Sequence, residues 1–360
     1  MAIIKNNIIE VKNSTSNYIL LDVRSPAEFE HAHIPGAYSL PLFDNEQRAI
    51  VGTTYKKQSR EEAIKIALPF FGDKMKQMVE RAEAISNDYE KIHQIKPMVF
   101  VHCWRGGMRS AAVAWLLDLY GFKVIQLNGG YKAYRNWVID KFTQPRLLKV
   151  LGGYTGSGKT ETLHAIAAGG RAVLDLEGLA KHKGSSFGAL GQDAQPSQEM
   201  FENLLSESLF EQEKKGETIW VEDESQRIGM VMIPTQFFAQ IKNSTCYFLR
   251  IPFEARLDFI VKQYGNFNTV ELIAATERIQ KRLGGLETKN TVNYLMEGDI
   301  KNGFAILLKY YDKWYDKFSK GEKNSKGEEN TKGDNMLPNI EWIDAMGVDP
   351  NTNAKLIADL

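Results

Sequence analysis

The sequence predicts an α/β protein made of two parallel-sheet domains in series. Three observations carry this. Short apolar runs alternate with amphipathic segments through the first 140 residues, and strands alternating with helices imply a parallel sheet with helical crossovers. A second series of the same kind begins at Leu147, with a strand that runs straight into a glycine-rich turn. The chain has 360 residues, 43% hydrophobic and 25% charged, which suits two ordinary globular domains and excludes bulk disorder or a collagen-like repeat.

In the first domain, assigned to residues 1–141, Tyr18–Val23, Met98–His102 and Val124–Leu127 read as buried strands. Ser110–Leu119 reads as an apolar helix stopped by Gly121. Residues 142–146 contain Pro145 and read as a linker. The second domain is assigned to 146–318. Its strands are expected at Leu147–Gly153, Ala172–Leu176, Thr218–Glu222 and Cys246–Ile251. Residues 319–335 repeat Lys-Gly-acid at Lys320, Lys326 and Lys332, have no apolar face, and read as a flexible surface loop. Residues 336–360 are expected to pack on the second domain.

Two cysteines, Cys103 and Cys246, cannot make a disulfide framework or a structural zinc site by themselves. Cys246 falls in a strand and reads as core. The N-terminal segment lacks the apolar core of a signal peptide, and the longest apolar stretch, around Ala111–Leu117, is too short to span a bilayer. A cytoplasmic enzyme with no membrane partner is the expectation. Net charge is zero. Lys and Arg outnumber Asp and Glu by 19 to 15 in residues 1–145, and are outnumbered 26 to 30 in residues 146–360. Neither half has the basic composition of a nucleic-acid binder, although clustered cations could still form a local groove.

Cys103 ends a strand and opens a loop holding Trp104, Arg105, Gly106, Gly107, Met108 and Arg109 before a helix begins near Ser110. Glycines let backbone N–H groups curl inward, and beside a helix N-terminus such a nest attracts anions and favours a thiolate. Cys103, Arg105 and Arg109 are the candidate catalytic residues; Trp104, Gly106, Gly107 and Met108 complete the anion-binding loop. A plain buried cysteine would have no use for two arginines and two adjacent glycines. With the upstream run Asp22, Val23, Arg24, Glu28, Phe29, His33, Ile34, Pro35, Gly36 and Ala37, this segment resembles the rhodanese family, whose cysteine carries sulfur or selenium. Ala32 stands where that family usually has glycine. Asp22 and Arg24 read as a structural ion pair under the loop. His102-Cys103, five residues, then Arg109-Ser110 also fits the cysteine-phosphatase pattern, and a loop of this length has room for a tetrahedral oxyanion. These residues leave phosphatase and chalcogen transferase both open.

Gly153, Thr155, Gly156, Ser157, Gly158, Lys159 and Thr160 lie in a GxxxxGK[ST] segment after a strand and before a helix, the context a P-loop requires. Its N–H groups would cradle a di- or triphosphate, Lys159 would neutralise a phosphate oxygen, and Thr160 could meet Mg²⁺. Asp175, Glu222 and Asp223 are the candidate acidic or metal-linked residues; the metal requirement stays open. Glu177, His182, Ser185 and Ser186 bunch polar groups among glycines and read as a substrate loop. Arg278, Lys281 and Arg282 share one face if the run is helical, and suit phosphate or tRNA contacts as well as a solvated face. Tyr310, Tyr311, Trp314 and Tyr315 read as a helix packed on a core.

With CWRGGMRS, GGYTGSGKT and DLEGLAKHKGSSFG in one chain, residues 10–315 resemble the bacterial tRNA 2-selenouridine synthase family: a rhodanese-like domain followed by a P-loop NTPase-like domain. The resemblance implies a transferase that acts on tRNA carrying 2-thiouridine at the wobble position. It implies attachment of a geranyl group from geranyl diphosphate to that sulfur, then displacement of the geranylated sulfur by selenium from selenophosphate. No tightly bound cofactor is expected; Mg²⁺ and an enzyme that supplies selenophosphate are candidate companions. The runner-up is a rhodanese-fold phosphatase or sulfurtransferase joined to a nucleotide-binding, kinase-like domain. A third reading is a nucleotide-gated tRNA-binding module with a degenerate first domain.

Overall fold

The computed structural model describes residues 4–12, 17–216, 218–319 and 339–358. The chain divides into two compact units, Met1–Lys141 and Phe142–Leu360. The first holds strands β1 (Ile4–Asn6), β2 (Tyr18–Asp22), β3 (Tyr38–Ser39), β4 (Met98–His102) and β5 (Val124–Leu127), in the order β1-β5-β4-β2-β3 with every pair parallel. The alternation of strands with helices thus gives the sheet that was expected. Parallel strands covered on both faces are apolar throughout, and β2 and β4 are YILLD and MVFVH. One face packs on helix Met108–Tyr120 through Val113, Ala114 and Leu117 and on Met78, Ala82 and Ile85 of a longer helix.

That longer helix, Arg60–His93, contains Pro69 and is absent from the sequence reading. Ser59 caps it by accepting a hydrogen bond from the Glu62 N–H. Helix Met108–Tyr120 starts two residues before the expected Ser110 and ends on Gly121, which takes the left-handed conformation at φ 114°. Helix Gly130–Thr143 runs through Phe142 and Thr143, so the expected linker begins later: Phe142 is buried and its ring lies 6.5 Å from Phe237.

The second unit holds β6 (Leu148–Gly153), β7 (Val173–Leu174), β8 (Ile219–Glu222), the antiparallel pair β9 (Arg227–Ile228) and β10 (Val231–Met232), then β11 (Thr245–Arg250) and β12 (Ile340–Asp344). Its main sheet has the order β12-β11-β6-β8-β7, again all parallel. β7 is shorter than the expected Ala172–Leu176 because Asp175 turns to cap helix Leu176–Ala180, accepting from the Gly178 N–H at 2.7 Å. β12 extends the sheet beside β11, and helix Pro350–Ala358 packs against helix Lys159–Ala168. Beyond the sheet, helices Phe253–Tyr264, Thr269–Glu277, Gly285–Met296 and Ile300–Ser319 build a separate core around Leu257, Leu272, Phe304, Leu307 and Leu308. From residue 320 on, the Lys-Gly-acid segment lies outside the described residues. Among the described residues no helix is long and apolar enough to cross a membrane.

Candidate functional site

The register of β2 against β4 sets Asp22 beside His102 at the C-terminal end of the first sheet, and Cys103 is the next residue. Open parallel sheets carry their sites at this edge. Asp22 accepts from Arg24 through several hydrogen bonds, the shortest 2.6 Å, with both side chains buried. Arg24 also donates to the Ala32 carbonyl and lies face-on over the Tyr131 ring at 3.8 Å. This is the structural pair expected beneath the loop. His102 is fully buried 3.7 Å from Asp22, and burial pushes its pKa down, so it is held as a neutral ring.

The Cys103 loop is pinned from three sides. Tyr131 and Lys132 N–H groups donate to the carbonyls of Cys103 and Trp104. Gln126 Nε2 donates to the Gly106 and Gly107 carbonyls and to Ser110 Oγ. Cys103 Sγ is 3.2 Å from Ser110 Oγ and the residue is 3% exposed. Gly106 sits at φ +63°, and a Cβ there would be 2.5 Å from the Leu127 carbonyl oxygen. Gly106→Ala should therefore distort the loop and cost about 1–3 kcal/mol, read as a lower thermal midpoint; an unchanged midpoint would show that the loop tolerates the extra methyl.

Arg109 does not stand free in the cup. It makes a two-pronged pair with Glu28 at 2.7 and 3.3 Å, and Arg48 approaches Glu28 at 3.6 Å. Burial would raise the Glu28 pKa, but the Arg109 hydrogen bond and charge, the Ser25 N–H and Arg48 together bring it down to about 2. A depressed carboxyl stabilises the fold above its unfolded value, near 4.5, and that stabilisation is lost as pH falls toward 2. The difference in thermal midpoint between the wild type and Glu28→Gln should thus be largest above pH 5 and shrink toward pH 2. A difference that stays constant would show the pair to be inert. Arg105, Trp104, Gly107 and Met108 are exposed. Sequence reasoning named Glu28 and Ser110 only as motif positions, without these roles, and did not name Gln126. Ser110 was within reach as the last position of the HCx5RS pattern.

In the second unit β6 ends at Gly153, and the turn 154–158 leads into helix Lys159–Ala168. β6 is the central strand, so the loop sits at the middle of the sheet's C-terminal edge with β8 alongside. Gly156 takes φ +79°, and a Cβ there would be 2.6 Å from Ile260 Cδ1. Lys159 Nζ donates to the Gly153 carbonyl at 3.1 Å. Thr160 Oγ1 donates to Glu177 at 2.8 Å and lies 3.5 Å from Glu222. The Glu177 N–H donates to Glu222 at 2.7 Å. Burial raises the pKa values of Glu177, Glu222 and Glu224; for Glu224, burial and the neighbouring Glu177 carry it to about 8.

Thr155–Thr160 line a cavity of about 490 Å³ together with Asp175, Glu177, Glu224, Lys183 and Ser185. Phe187, Phe259, Ile260, Phe304, Leu307 and Leu308 give it an apolar stretch, while Glu161, His164, Gln192, Ser225 and Gln263 keep the rest polar. Asp175 pairs with His164 at 2.8 Å. Asp223 turns away from the loop to Lys242 at 2.9 Å. Glu224 takes part where Asp223 was expected. Among the described residues no group of three or more His, Cys, Asp or Glu side chains is placed to hold a metal ion.

Two family models match the chain: a rhodanese-like domain over residues 7–136, and the tRNA 2-selenouridine synthase AAA domain over 146–336. The chain belongs to the tRNA 2-selenouridine synthase family. It is 39% identical over 270 residues to the tRNA 2-selenouridine synthase of Nitrosomonas europaea, covering 72% of this chain and 68% of that one. The enzyme of the same name from Hydrogenovibrio crunogenus is 34% identical, covering 83% and 89%. That from Sulfurovum is 33% identical, covering 84% and 88%. The fold is accordingly a rhodanese domain followed by an AAA, P-loop-like domain.

The other predicted residues of this family member fall into two groups. Glu177 and Ser185 line the cavity, whereas His182 and Ser186 do not. Ser186 bonds Tyr311 through their hydroxyls at 3.0 Å, and its carbonyl accepts from Arg278. The run around Arg278 is not one helix. Thr269–Glu277 ends there with Arg278 as its C-cap, and a short helix, Gln280–Leu283, carries Lys281 and Arg282 exposed. The helix is interrupted between Arg278 and Lys281, and all three cations are exposed. Tyr310 and Tyr311 join the helical core, their rings 5.2 Å apart. The side chains of Trp314 and Tyr315 lie outside the described residues.

Proposed function

We propose that this chain converts wobble 2-thiouridine in tRNA to 2-selenouridine in two steps, each using one unit. In the first, the thiouridine sulfur attacks the allylic carbon of geranyl diphosphate. A C–S bond forms, the C–O bond to diphosphate breaks, and the N3 proton is lost from the base. The phosphate loop cradles the departing diphosphate, with Lys159 and the N–H groups at the start of helix Lys159–Ala168 stabilising its charge. In the second, selenium delivered by selenophosphate adds at C2, and geranylthiol leaves. Water takes the phosphoryl group, releasing phosphate, and N3 regains its proton. Alkylation makes chemical sense here, because a thiocarbonyl sulfur is a poor leaving group and a thioether sulfur a better one. Cys103 orients the selenium donor for this addition without changing its oxidation state, with the loop N–H groups and Arg105 around the anion and Arg109, paired with Glu28, bracing the loop.

One observation supports this reading most strongly: beside the phosphate loop the cavity has an apolar stretch made by Phe187, Phe259, Ile260, Phe304, Leu307 and Leu308. A hydrocarbon tail can cover such an apolar stretch while its diphosphate sits on the loop. Family membership favours chalcogen transfer over the phosphatase reading of Cys103. Any Mg²⁺ would arrive with the diphosphate, to which Thr160 offers a hydroxyl oxygen. A cytoplasmic location and a selenophosphate-supplying enzyme as partner complete the proposal. Incubation with 2-thiouridine tRNA and geranyl diphosphate, followed by nucleoside mass spectrometry, should give the geranyl adduct alone. Adding selenophosphate should give selenouridine. An unchanged nucleoside mass from folded protein would refute both steps.

A further inference from the structure

We propose that the rings of Phe187, Tyr264 and Phe304 floor the phosphate-loop cavity and set the length of the hydrocarbon chain it accepts. The inference rests on the isoprenyl diphosphate reading above and assigns the place of the tail within the second unit.

The mouth of the cavity is built for an anion. Ser157 is 1% exposed, lines the cavity, and its hydroxyl has no hydrogen-bond partner among the described residues. Lys159 and Thr160, in the first turn of helix Lys159–Ala168, line the same mouth, where the helix dipole favours a phosphate. From the loop the wall continues along helix Phe253–Tyr264. Ile260 adjoins Gly156, and Tyr264 follows one turn later, about 6 Å further along the helix axis. There the rings of Tyr264 and Phe304 stack at 5.8 Å, and Phe187 closes the triangle at 6.1 Å from Tyr264 and 5.5 Å from Phe304. Leu307 and Leu308, each 1% exposed, line the same end. The Tyr311 hydroxyl at that end is engaged by Ser186.

A diphosphate anchored at the loop fixes where its tail begins, and the packed rings fix where the tail must stop. Close-packed interiors do not yield a further isoprene unit without displacing a side chain. A shorter tail would leave apolar wall uncovered.

The test is binding of dimethylallyl, geranyl and farnesyl diphosphates to the full chain, with inorganic diphosphate as the reference. The wild type should prefer geranyl diphosphate to the other two by about tenfold or more. Phe304→Ala should bring the farnesyl compound level with or ahead of the geranyl one, leaving inorganic diphosphate binding unchanged. Phe304→Leu and Phe187→Leu, which keep more of the core, should shift the same ratio by less. A farnesyl-to-geranyl ratio that is near one in the wild type, or unmoved in folded variants that still bind inorganic diphosphate, would overturn this assignment. If all three prenyl diphosphates bind no better than inorganic diphosphate, the isoprenyl reading itself fails and this assignment with it.

Discussion

Lys159→Ala should reduce geranylation of 2-thiouridine tRNA by a factor on the order of 10²–10³ or more, the loss seen when a donor to a developing oxyanion is removed. Lys159 sits at the first turn of helix Lys159–Ala168, where the helix dipole already favours negative charge. Its ammonium lies against the Gly153 carbonyl, a hydrogen bond that an arriving diphosphate can replace with a stronger, charge-assisted one. The effect should fall on the rate at saturating geranyl diphosphate, because the charge on the diphosphate grows as the C–O bond breaks. Selenation of tRNA that already carries the geranyl group should proceed normally. Normal geranylation by the variant would remove the phosphate loop from this step.

Cys103→Ala should do the reverse. Geranylated tRNA should accumulate and selenouridine formation should fall by several orders of magnitude. The sulfur is held on a strand end, 3.2 Å from Ser110 Oγ, inside a loop braced by Gln126, Tyr131 and Lys132. Such bracing fixes position at a cost that a purely structural cysteine would not repay. Quantifying both nucleosides in one digest separates the two variants cleanly. Selenouridine at the wild-type rate from Cys103→Ala would acquit the thiol and leave selenium handling to the loop alone.

The parts legible in the sequence were those written in contiguous residues. Gly153–Thr160 spells its own strand, turn and helix, and Cys103 stands between an apolar run and a Gly-Gly turn, so local chemistry announced both loops. Partners set by tertiary packing were not legible. Glu28 reaches Arg109 across 81 positions, and only the folded sheet shows that the arginine is already paired. Asp223 and Glu224 are adjacent in sequence, yet one turns to Lys242 and the other to the cavity, because neighbouring residues at a strand end point to opposite sides. The run around Arg278 looked like a continuous basic helix, but helix Thr269–Glu277 stops there and Arg278 is tied to the Ser186 carbonyl. Strand β12 follows β11 by some ninety residues, and an isolated IEWID segment carries no sign of which sheet edge will take it.

On this mechanism one chain alkylates the sulfur first and exchanges it for selenium afterwards. A single-turnover time course tests this most directly: excess enzyme with 2-thiouridine tRNA, geranyl diphosphate and selenophosphate, quenched at intervals and read by nucleoside mass. Geranylated thiouridine should rise and then decay as selenouridine appears after a lag. Selenouridine that forms without a lag, or at the same rate with geranyl diphosphate omitted, would contradict it.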